Sequence, residues 1–407
     1  MIARSIYQDL LDHIHKKECT ILIGARQTGK STLLKQLNEA LTKAGETVVL
    51  LNLERKDILL ELNQSPENIF RYFPKKEKKK NYLLVDEVQY LQNPTNFLKL
   101  LYDEHAQHLK IIATGSSAFY IDRQIKDSLA GRKKIFELPT LDFEEFLLFK
   151  NQETLLKELK SLRTGVKQKS TAESQLWTAL DEYINYGGYP AVVLENNVKD
   201  KIERLQEIRD SFVKRDILEA GITDETKFYR LMMLLAAQTG NLINTNELAN
   251  TLRLTHQATD NYLYVLQKCF HISLSKPFFS NLRKELVKMP KLYFNDLGLR
   301  NVLVNYFAPM EQRADKGALL ENFVYRRLRE QFPKEQIKFW RTADGNEVDF
   351  VLEESTTGGK AIEVKFNLTA GQAGGAEANP KKYKKFNELY PRYPLQFYSW
   401  RGPELFL

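Results

Sequence analysis

The chain carries, at residues 24–31, the stretch Gly24-Ala25-Arg26-Gln27-Thr28-Gly29-Lys30-Ser31. It fits the pattern G-x-x-x-x-G-K-[ST], in which glycines let backbone N–H groups surround a phosphate and the lysine reaches its oxygens. The stretch follows an apolar run at residues 20–24 and precedes a helical pattern that begins at Thr32. Because a strand before and a helix after are the setting that this loop requires, the sequence predicts a phosphate-binding loop here.

Each residue of this loop, together with Thr32, is predicted to bind nucleotide. The Lys30 ammonium is expected to reach the β- and γ-phosphates, and the Ser31 hydroxyl is expected to bind Mg²⁺. The helix that follows adds positive potential at its N-terminus, which favours an anion. ATP and Mg²⁺ are therefore the predicted ligands of this part of the chain.

A second stretch supplies the carboxylates that such a loop needs for hydrolysis. Residues 82–86 form an apolar run that ends in Asp86, and Glu87 follows directly. At the end of a buried strand, Asp86 is predicted to hold Mg²⁺ through water. Glu87 is predicted to orient or deprotonate the water that attacks the phosphate.

Two further positions are candidates for contact with the reacting phosphate. The apolar run at residues 110–114 ends in Thr114, and a hydroxyl of Thr114 or Ser116 is predicted to act as a polar sensor. Arg132 lies in a turn and is predicted to stabilise transition-state charge, in its own subunit or in a neighbouring one. The alternatives stay open, because Gly115-Ser116-Ser117 is also ordinary loop chemistry and Arg132 fits a surface role.

The order of apolar runs predicts the fold class and the domains. Four runs at residues 20–24, 47–53, 82–86 and 110–114 alternate with amphipathic stretches, which indicates buried parallel strands joined by helices. The prediction is an α/β domain over residues 1–150 with a phosphate-binding loop. A helical region (151–240), a winged-helix-like domain (241–310) and an α+β C-terminal domain (311–407) are expected to follow.

Residues 241–310 carry a helix–turn–helix pattern with a positive net charge. Eight Lys and Arg residues stand there against four acids, so the segment has a charge of +4. A capped helix near Thr245, a turn at residues 253–255 and a second helix capped by Thr255 precede two strands around a basic tip. In such a module the second helix enters the major groove of DNA. The residues predicted to contact DNA are His256, Gln257, Thr259 and Asn261 on that helix, and Arg283 and Lys284 on the wing. An interpretation as a protein-binding or domain-joining module stays open.

The last part of the chain places acidic and basic residues on two short strands. Asp349 lies in the run 347–352, and Glu363 and Lys365 alternate along the run 361–366. If the two runs pair as a hairpin, the two carboxylates meet at one point, where they suit Mg²⁺, and Lys365 can hold or activate a water. Glu321 on the preceding helix can complete the metal ligands, and Glu347 is a rival ligand.

These motifs resemble two known families. The phosphate-binding loop and the segments 129–132, 138–146 and 186–190 resemble the AAA-like P-loop ATPases of bacteria and archaea, over nearly the whole chain. The spacing of Asp349, Glu363 and Lys365 resembles the PD-(D/E)xK restriction-endonuclease-like fold, with Val348 in place of the proline. The first resemblance implies an ATPase, with subunit contacts that make a homo-oligomer reasonable. The second implies phosphodiester hydrolysis.

Composition sets limits on these hypotheses. The chain has 407 residues and a net charge of +8, which suits DNA as a partner. Only Cys19 and Cys269 are present, and no long apolar segment or signal peptide is visible, so the expected location is the cytoplasm, away from a membrane. The leading hypothesis is an ATPase whose nucleotide state controls DNA binding and Mg²⁺-dependent DNA cleavage. A nucleotide-switched regulator with an inactive nuclease-like domain and a partner-binding ATPase are the alternatives.

Overall fold

The computed structural model describes residues 2, 4–74, 80–115, 129–163, 172–279, 289–355, 358–367 and 380–406. Two compact units account for the chain. The first comprises Met1–Leu141 and Lys268–Phe270, and the second comprises Asp142–Gln267 and His271–Leu407. None of the helices within these described ranges is long and apolar enough to cross a membrane.

The first unit is an α/β layer. Its described elements are α1 (Tyr7–His13), β1 (Cys19–Ile23), α2 (Lys30–Lys43), β2 (Thr47–Asn52), α3 (Lys56–Gln64), a 3₁₀ helix (Pro66–Tyr72), β3 (Asn81–Asp86), a 3₁₀ turn (Val88–Tyr90), α4 (Pro94–His105), β4 (Leu109–Gly115) and β5 (Lys133–Glu137). Their five strands form a parallel sheet in the order β2-β3-β4-β1-β5.

The sheet is buried on both faces, as the apolar runs predict. Alternate residues of β1 point to opposite sides, so Ile21 packs in one apolar cluster and Leu22 in the other. The predicted parallel α/β fold is confirmed, and each of the four predicted runs contains a strand. Strand β5 was not predicted, because it lies at the sheet edge and its residues are largely exposed, so it lacks an apolar run.

The second unit begins with helices. Its described elements are α5 (Phe143–Phe149), α6 (Glu153–Arg163), α7 (Glu173–Tyr186), α8 (Pro190–Val193), α9 (Val198–Glu219), α10 (Glu225–Ala237), α11 (Thr245–Leu252), α12 (His256–Lys268), β6 (Ile272–Ser275), β7 (Lys291–Phe294), α13 (Leu297–Leu303), a 3₁₀ turn (Met310–Gln312), α14 (Lys316–Gln331), a 3₁₀ turn (Lys334–Gln336), β8 (Ile337–Arg341), β9 (Glu347–Ser355), β10 (Gly358–Lys365), α15 (Pro380–Leu389), β11 (Leu395–Ser399) and a 3₁₀ turn (Pro403–Phe406).

The helices α11 and α12 are joined by a tight turn that the sequence encodes. Asn244 accepts hydrogen bonds from the first backbone N–H groups of α11, and Arg253 ends that helix in the left-handed conformation. The Thr255 hydroxyl oxygen then accepts a hydrogen bond from the Ala258 N–H at 3.1 Å, as expected of a cap on α12. Strands β6 and β7 pair antiparallel, and an isolated antiparallel bridge joins Leu242 to Lys291 of β7.

Four strands in the order β11-β10-β9-β8 form the last sheet. Strand β9 is antiparallel to β8 and β10, and β10 is parallel to β11. Period-2 runs around residues 338–340, 347–352 and 361–366 predict three of these strands, but not β11, whose surroundings are rich in proline, tyrosine and charge. Helix α15 packs its Tyr383 and Phe386 with Trp340 of β8 and Val351 of β9.

Candidate nucleotide, DNA and metal sites

The phosphate-binding loop leaves β1 and enters α2. Gly24 has a φ of 156° and lies so close to Leu138 that a Cβ atom would be 2.2 Å from the Leu138 carbonyl oxygen. Gly29 is the N-cap of α2 with a φ of 100°, a conformation that favours glycine. Both glycines of the motif are therefore required by the backbone path of this loop.

The loop holds its own lysine. The Lys30 Nζ donates hydrogen bonds to the carbonyl oxygens of Gly24 at 2.9 Å and Ala25 at 2.7 Å. The Thr28 hydroxyl donates to the same Ala25 oxygen at 3.0 Å. Arg4 braces the loop, because its guanidinium donates to the Thr28 carbonyl at 2.7 Å and the Pro139 carbonyl at 2.9 Å. Sequence reasoning missed Arg4, since it lies outside any motif.

The predicted nucleotide-binding residues differ in burial. Ala25, Arg26, Thr28 and Lys30 are buried in the folded loop, Gly29 and Ser31 are half-buried, and Gln27 and Thr32 are exposed. These residues and Gly24 form one continuous turn at the carboxyl end of β1, where ligands bind in open parallel sheets. Their contacts with nucleotide stay a prediction.

The two carboxylates of the acidic strand lie at the same edge of the sheet as the loop. Asp86 ends β3 and is 7% exposed, and Glu87 follows with a φ of 60°. The Thr114 hydroxyl at the end of β4 donates a hydrogen bond to Asp86 Oδ1, and its oxygen accepts one from the Glu87 N–H at 3.1 Å. The Gln89 amide donates to the Glu87 carboxylate. Sequence reasoning missed Gln89.

The position of Thr114 changes the role predicted for it. Its hydroxyl is fully buried and is hydrogen-bonded to the Asp86 carboxylate and the Glu87 backbone N–H, which fits a positioning role and not that of a phosphate sensor. Ser116, the other sensor candidate, lies outside the described residues.

The prediction that Arg132 acts on nucleotide in its own subunit is wrong. Arg132 immediately precedes β5, and Cys19 at the start of β1 pairs with Lys133. The phosphate-binding loop follows the other end of β1, a strand of five residues, or roughly 15 Å, away. The Arg132 guanidinium is occupied by Asp103, with Nε 2.6 Å from Oδ1.

The predicted DNA-binding residues of α12 divide into two groups. His256, Gln257 and Asn261 are exposed, and His256 lies 3.2 Å from Asp260. Thr259 is fully buried, and its hydroxyl donates to the Thr255 carbonyl at 3.1 Å. The prediction that Thr259 contacts DNA is therefore wrong, because the residue packs inside the helical pair. Arg283 and Lys284 lie outside the described residues.

The C-terminal sheet brings the predicted metal ligands together. Asp349 precedes Phe350, which pairs with Ile362 of β10, and the Asp349 Oδ2 accepts a hydrogen bond from the Val364 N–H at 2.8 Å. Glu363 Oε1 lies 2.5 Å from the Lys365 Nζ, 2.9 Å from the Lys382 Nζ and 2.8 Å from the Tyr383 hydroxyl. Lys382 and Tyr383 come from α15, a segment that carries no recognisable metal-site motif.

Glu321 and Glu347 also reach this place, through a lysine from another sheet. The Lys291 Nζ on β7 lies 2.8 Å from Glu321 Oε1 and 3.5 Å from Asp349 Oδ1, and it forms an ion pair with Glu347. We call Glu321, Glu347, Asp349 and Glu363 the acid cluster.

The acid cluster perturbs the groups inside it. Burial raises the pKa of Asp349 well above its usual range, and the carboxylates of Glu321 and Glu363 raise it further. Burial acts to lower the pKa of Lys291, but the carboxylates of Glu321, Asp349 and Glu347 outweigh it and raise this pKa above the ordinary value for lysine. Sequence reasoning missed Lys291, because a strand residue far along the chain has no motif linking it to Asp349.

The acid cluster offers the carboxylate oxygens that a divalent cation prefers, although no three of its residues, all of which the structure describes, bring ligand oxygens within 4.8 Å of one another. Glu363 is 1% exposed, and its Oε2 has no hydrogen-bond partner within the described part of the chain. A buried carboxylate oxygen without a partner is costly, which suits a position that a metal occupies. Asp349 and Glu321 would supply the other oxygens. For the phosphate-binding loop, the Ser31 hydroxyl and the Asp86 carboxylate are the matching oxygen donors.

Comparisons with known proteins divide the chain into three parts. Residues 16–147 match the family described as AAA domain. Residues 178–309 and 316–399 match two domains of unknown function, DUF8612 and DUF4143. The AAA domain match contains the phosphate-binding loop and the acidic strand. The acid cluster lies within residues 316–399, and Lys291, which pairs with it, lies within residues 178–309.

Relatives extend along most of the chain. An uncharacterized protein of Methanocaldococcus jannaschii (MJ1637) is 30% identical over 325 residues, which cover 76% of this chain and 67% of that protein. An uncharacterized protein of Haemophilus influenzae is 27% identical over 371 residues, which cover 87% of this chain and 84% of that protein. Among solved structures, AMPPCP-bound DnaA from Aquifex aeolicus is 16% identical and has a TM-score of 0.33, with 66% of this chain and 89% of DnaA covered.

Proposed function

Since this chain belongs to the same family as the Methanocaldococcus jannaschii protein and carries the AAA domain of a P-loop ATPase, we propose that its nucleotide state controls the binding of DNA and its metal-dependent cleavage. Nucleotide binding and hydrolysis follow from the domain itself. We propose in addition which residues perform these two steps, that the protein binds DNA, and that it cleaves DNA.

The observation that carries the ATPase part is the hydrogen bonding of Thr114 to both Asp86 and Glu87. It supports a single site in which Lys30 binds the phosphates, Ser31 and Asp86 hold Mg²⁺, and the Glu87 carboxylate takes the proton of the attacking water. Mg²⁺ would supply charge stabilisation on the phosphate oxygens. Lys30 exchanges its loop carbonyls for phosphate oxygens when ATP binds.

Substitution of Lys30 tests this site. We expect Lys30→Ala to abolish ATP binding or turnover, because the ammonium is the charge that the β- and γ-phosphates require. Glu87→Gln should retain ATP binding and lose at least a hundredfold in kcat, since it removes only the base. Lys35→Ala, at an exposed position of the same helix, is the matched control and should behave as wild type. Mg²⁺-dependent ATPase activity at the wild-type level in Lys30→Ala would contradict the proposal.

The order of elements from α10 to β7 supports DNA binding. Helix α10, the bridged residue Leu242, helices α11 and α12, and the antiparallel pair β6–β7 follow one another as in a winged helix. Two of the exposed side chains in the first two turns of α12, Gln257 and Asn261, are amides, which suit base edges. We therefore assign α12 as the DNA-reading helix and the antiparallel pair β6–β7 as the wing.

The acid cluster supports cleavage of a phosphodiester bond. Asp349 and Glu363 would hold the metal, and the Lys365 ammonium, beside Glu363, would hold the attacking water.

A specific observation favours a second candidate function. The ammonium of Lys291 lies among Glu321, Glu347 and Asp349, where a cation is expected, so the nuclease-like site is neutralised by the chain itself. In that case the protein is a nucleotide-switched DNA-binding regulator whose nuclease-like domain is inactive.

Incubation with DNA separates the two candidates. Purified protein is mixed with duplex or single-stranded DNA, Mg²⁺ or Mn²⁺, and ATP. We expect cleavage that Lys365→Ala abolishes and that Lys384→Ala, an exposed lysine on α15, leaves intact. Nucleotide-dependent binding without cleavage in any metal would support the regulator.

A further inference from the structure

The side chain of Lys291 is built into the acid cluster. Its Nζ lies 2.8 Å from Glu321 Oε1 and 3.5 Å from Asp349 Oδ1, and it forms an ion pair with Glu347. The residue is 1% exposed, so this lysine is more deeply buried than Glu321, Glu347 and Asp349, whose side chains are 14%, 18% and 11% exposed. Most lysines extend into water; burial of an ammonium requires compensating charges of this kind.

The backbone of Lys291 belongs to a different sheet from the carboxylates. Lys291 begins β7, pairs with Ser275 of β6 and forms the bridge to Leu242. The Asp349 and Glu363 carboxylates come from β9 and β10, and Glu321 comes from α14. The ion pairs of Lys291 therefore join the β6–β7 hairpin to the acid cluster.

The acid cluster divides into two sides. Glu321, Glu347 and Asp349 each direct an oxygen at the single ammonium of Lys291, whereas Glu363 meets the ammonium groups of Lys365 and Lys382 through one oxygen, Oε1. The other oxygen, Glu363 Oε2, is buried and without a hydrogen-bond partner in the described ranges. A divalent cation that takes Glu363 Oε2 and Asp349 as ligands must share Asp349 with the Lys291 ammonium.

We propose that Lys291 is a resident cation that competes with the divalent metal for the acid cluster, so that the metal binds when the β6–β7 hairpin withdraws this lysine. The inference rests on the proposed metal site. Two positive charges cannot share the same carboxylates at contact distance without strong repulsion in a buried place. The hairpin that forms the proposed DNA-binding wing thereby sets the affinity of the metal site.

Removal of the ammonium is the direct test. The metal probe is Mn²⁺, and its binding to the full-length protein is measured by calorimetry and by the paramagnetic resonance signal of free Mn²⁺. Lys291→Met keeps the length of the side chain and removes its charge, so we expect Mn²⁺ to bind at least tenfold more tightly than to wild type. Lys338→Met is the matched control and should bind Mn²⁺ as wild type does. It removes a lysine of β8 that is paired with Glu353 of β9.

A double variant identifies the site that binds. Addition of Asp349→Asn to Lys291→Met should abolish the gain, because Asp349 is shared by the lysine and the metal. If wild type and Lys291→Met both bind Mn²⁺ no better than Asp349→Asn does, the proposed metal site fails and the inference fails with it. If wild type binds in an Asp349-dependent way and Lys291→Met binds no more tightly, the competition alone is overturned.

A second measurement on the wild-type chain avoids dependence on the folding of a variant. An amine-specific acylating reagent is applied with and without Mn²⁺, and modified lysines are identified by mass spectrometry. Lys291 is expected to be protected without metal and several-fold more reactive with saturating Mn²⁺, whereas the exposed Lys384 should react equally in both. Unchanged protection of Lys291 at saturating Mn²⁺ would contradict its displacement.

Discussion

The hydroxyl group of Thr114 joins the end of β4 to both carboxylate residues that follow β3. It donates to Asp86 and accepts from the backbone of Glu87, and it is fully buried. Removal of one partner from a buried hydrogen bond leaves the other unsatisfied, which costs about 1–3 kcal/mol. The residue is thus expected to act on catalysis through the two carboxylates.

Thr114→Val keeps the shape of the side chain and removes its hydroxyl. We expect kcat for ATP hydrolysis to fall at least tenfold while ATP binding changes less than threefold, because Glu87 loses its fixed orientation and Lys30 is untouched. Steady-state ATPase assays and nucleotide titration measure the two quantities. Thr114→Ser retains the hydroxyl and should keep most of the activity; an equally large loss of kcat in Thr114→Ser would argue against this role.

His13 makes the stability of the first unit sensitive to acid. Burial, and then the nearby Lys110 ammonium, lower the pKa of His13 from its usual 6.5 to about 4. The unfolded chain therefore binds a proton between about pH 6.5 and 4 that the folded chain does not, so stability is lost as the pH falls through this range.

Substitution of His13 should remove that loss. Wild type is expected to lose on the order of 1–2 kcal/mol of unfolding free energy between pH 7 and pH 4.5 through this half-buried ring, and His13→Gln should lose correspondingly less. Urea denaturation at both pH values measures the difference. His15→Gln, at an exposed position two residues along, is the control; the same pH dependence in His13→Gln and wild type would refute the prediction.

Among the elements of the chain, α12 is the helix that we propose reads DNA. Its buried side carries Thr259, Tyr262, Leu263 and Leu266, and its exposed side carries Gln257 and Asn261. The two sides serve separate purposes, so exposed residues can be changed with little effect on folding.

The double variant Gln257→Ala/Asn261→Ala should therefore weaken DNA binding at least tenfold and leave the melting temperature within a few degrees of wild type. Asn250→Ala, an exposed asparagine on the preceding helix, is the control. Fluorescence anisotropy at several salt concentrations measures both affinity and its salt dependence. An unchanged affinity in the double variant would show that α12 does not read DNA.

Some of the helices and strands can be predicted from local sequence, and others cannot. Strands β1 to β4 and helices α11, α12 and α14 could be predicted, because buried strands require apolar runs and caps require particular side chains. Strand β5 could not be predicted, because its edge position tolerates lysine and glutamate. Arg132 immediately precedes β5, so the end of the sheet at which Arg132 lies could not be predicted either. Thr259 was assigned to the wrong side of its helix because a single threonine does not reveal which face is buried.

The acid cluster illustrates a limit of a different kind. Asp349, Glu363 and Lys365 lie on neighbouring strands, and alternation along a strand was enough to bring them together. Lys291, Lys382 and Tyr383 come from β7 and α15, and only tertiary packing brings them to Glu321 and Glu363. Contacts between residues so far apart along the chain produce no recognisable spacing motif in the sequence.

At the scale of the whole molecule, the nucleotide site and the proposed DNA site lie in separate compact units of one chain. Any coupling between them is a free energy that both ligands share, so it must be reciprocal. If a non-hydrolysable ATP analogue changes the affinity for DNA by some factor, DNA must change the affinity for the analogue by that same factor.

This reciprocity can be measured. We expect the analogue to change DNA affinity by five- to a hundredfold relative to ADP, a typical range for coupled sites, and Lys30→Ala to abolish the change without altering DNA affinity in the absence of nucleotide. Anisotropy with labelled DNA and titration with labelled nucleotide give the two factors independently. Identical DNA affinity with ADP, with the analogue and with no nucleotide would exclude control of DNA binding by nucleotide.

The position of the Lys30 ammonium affects the thermodynamics of ATP binding. Two carbonyl oxygens of the loop already hold the group, so the side chain has lost its rotational freedom before ATP arrives. When a phosphate binds, its oxygens replace the loop carbonyl oxygens around an ammonium that is already in place. Binding therefore costs little additional conformational entropy of the Lys30 side chain. The heat of ATP binding should accordingly be small beside its affinity.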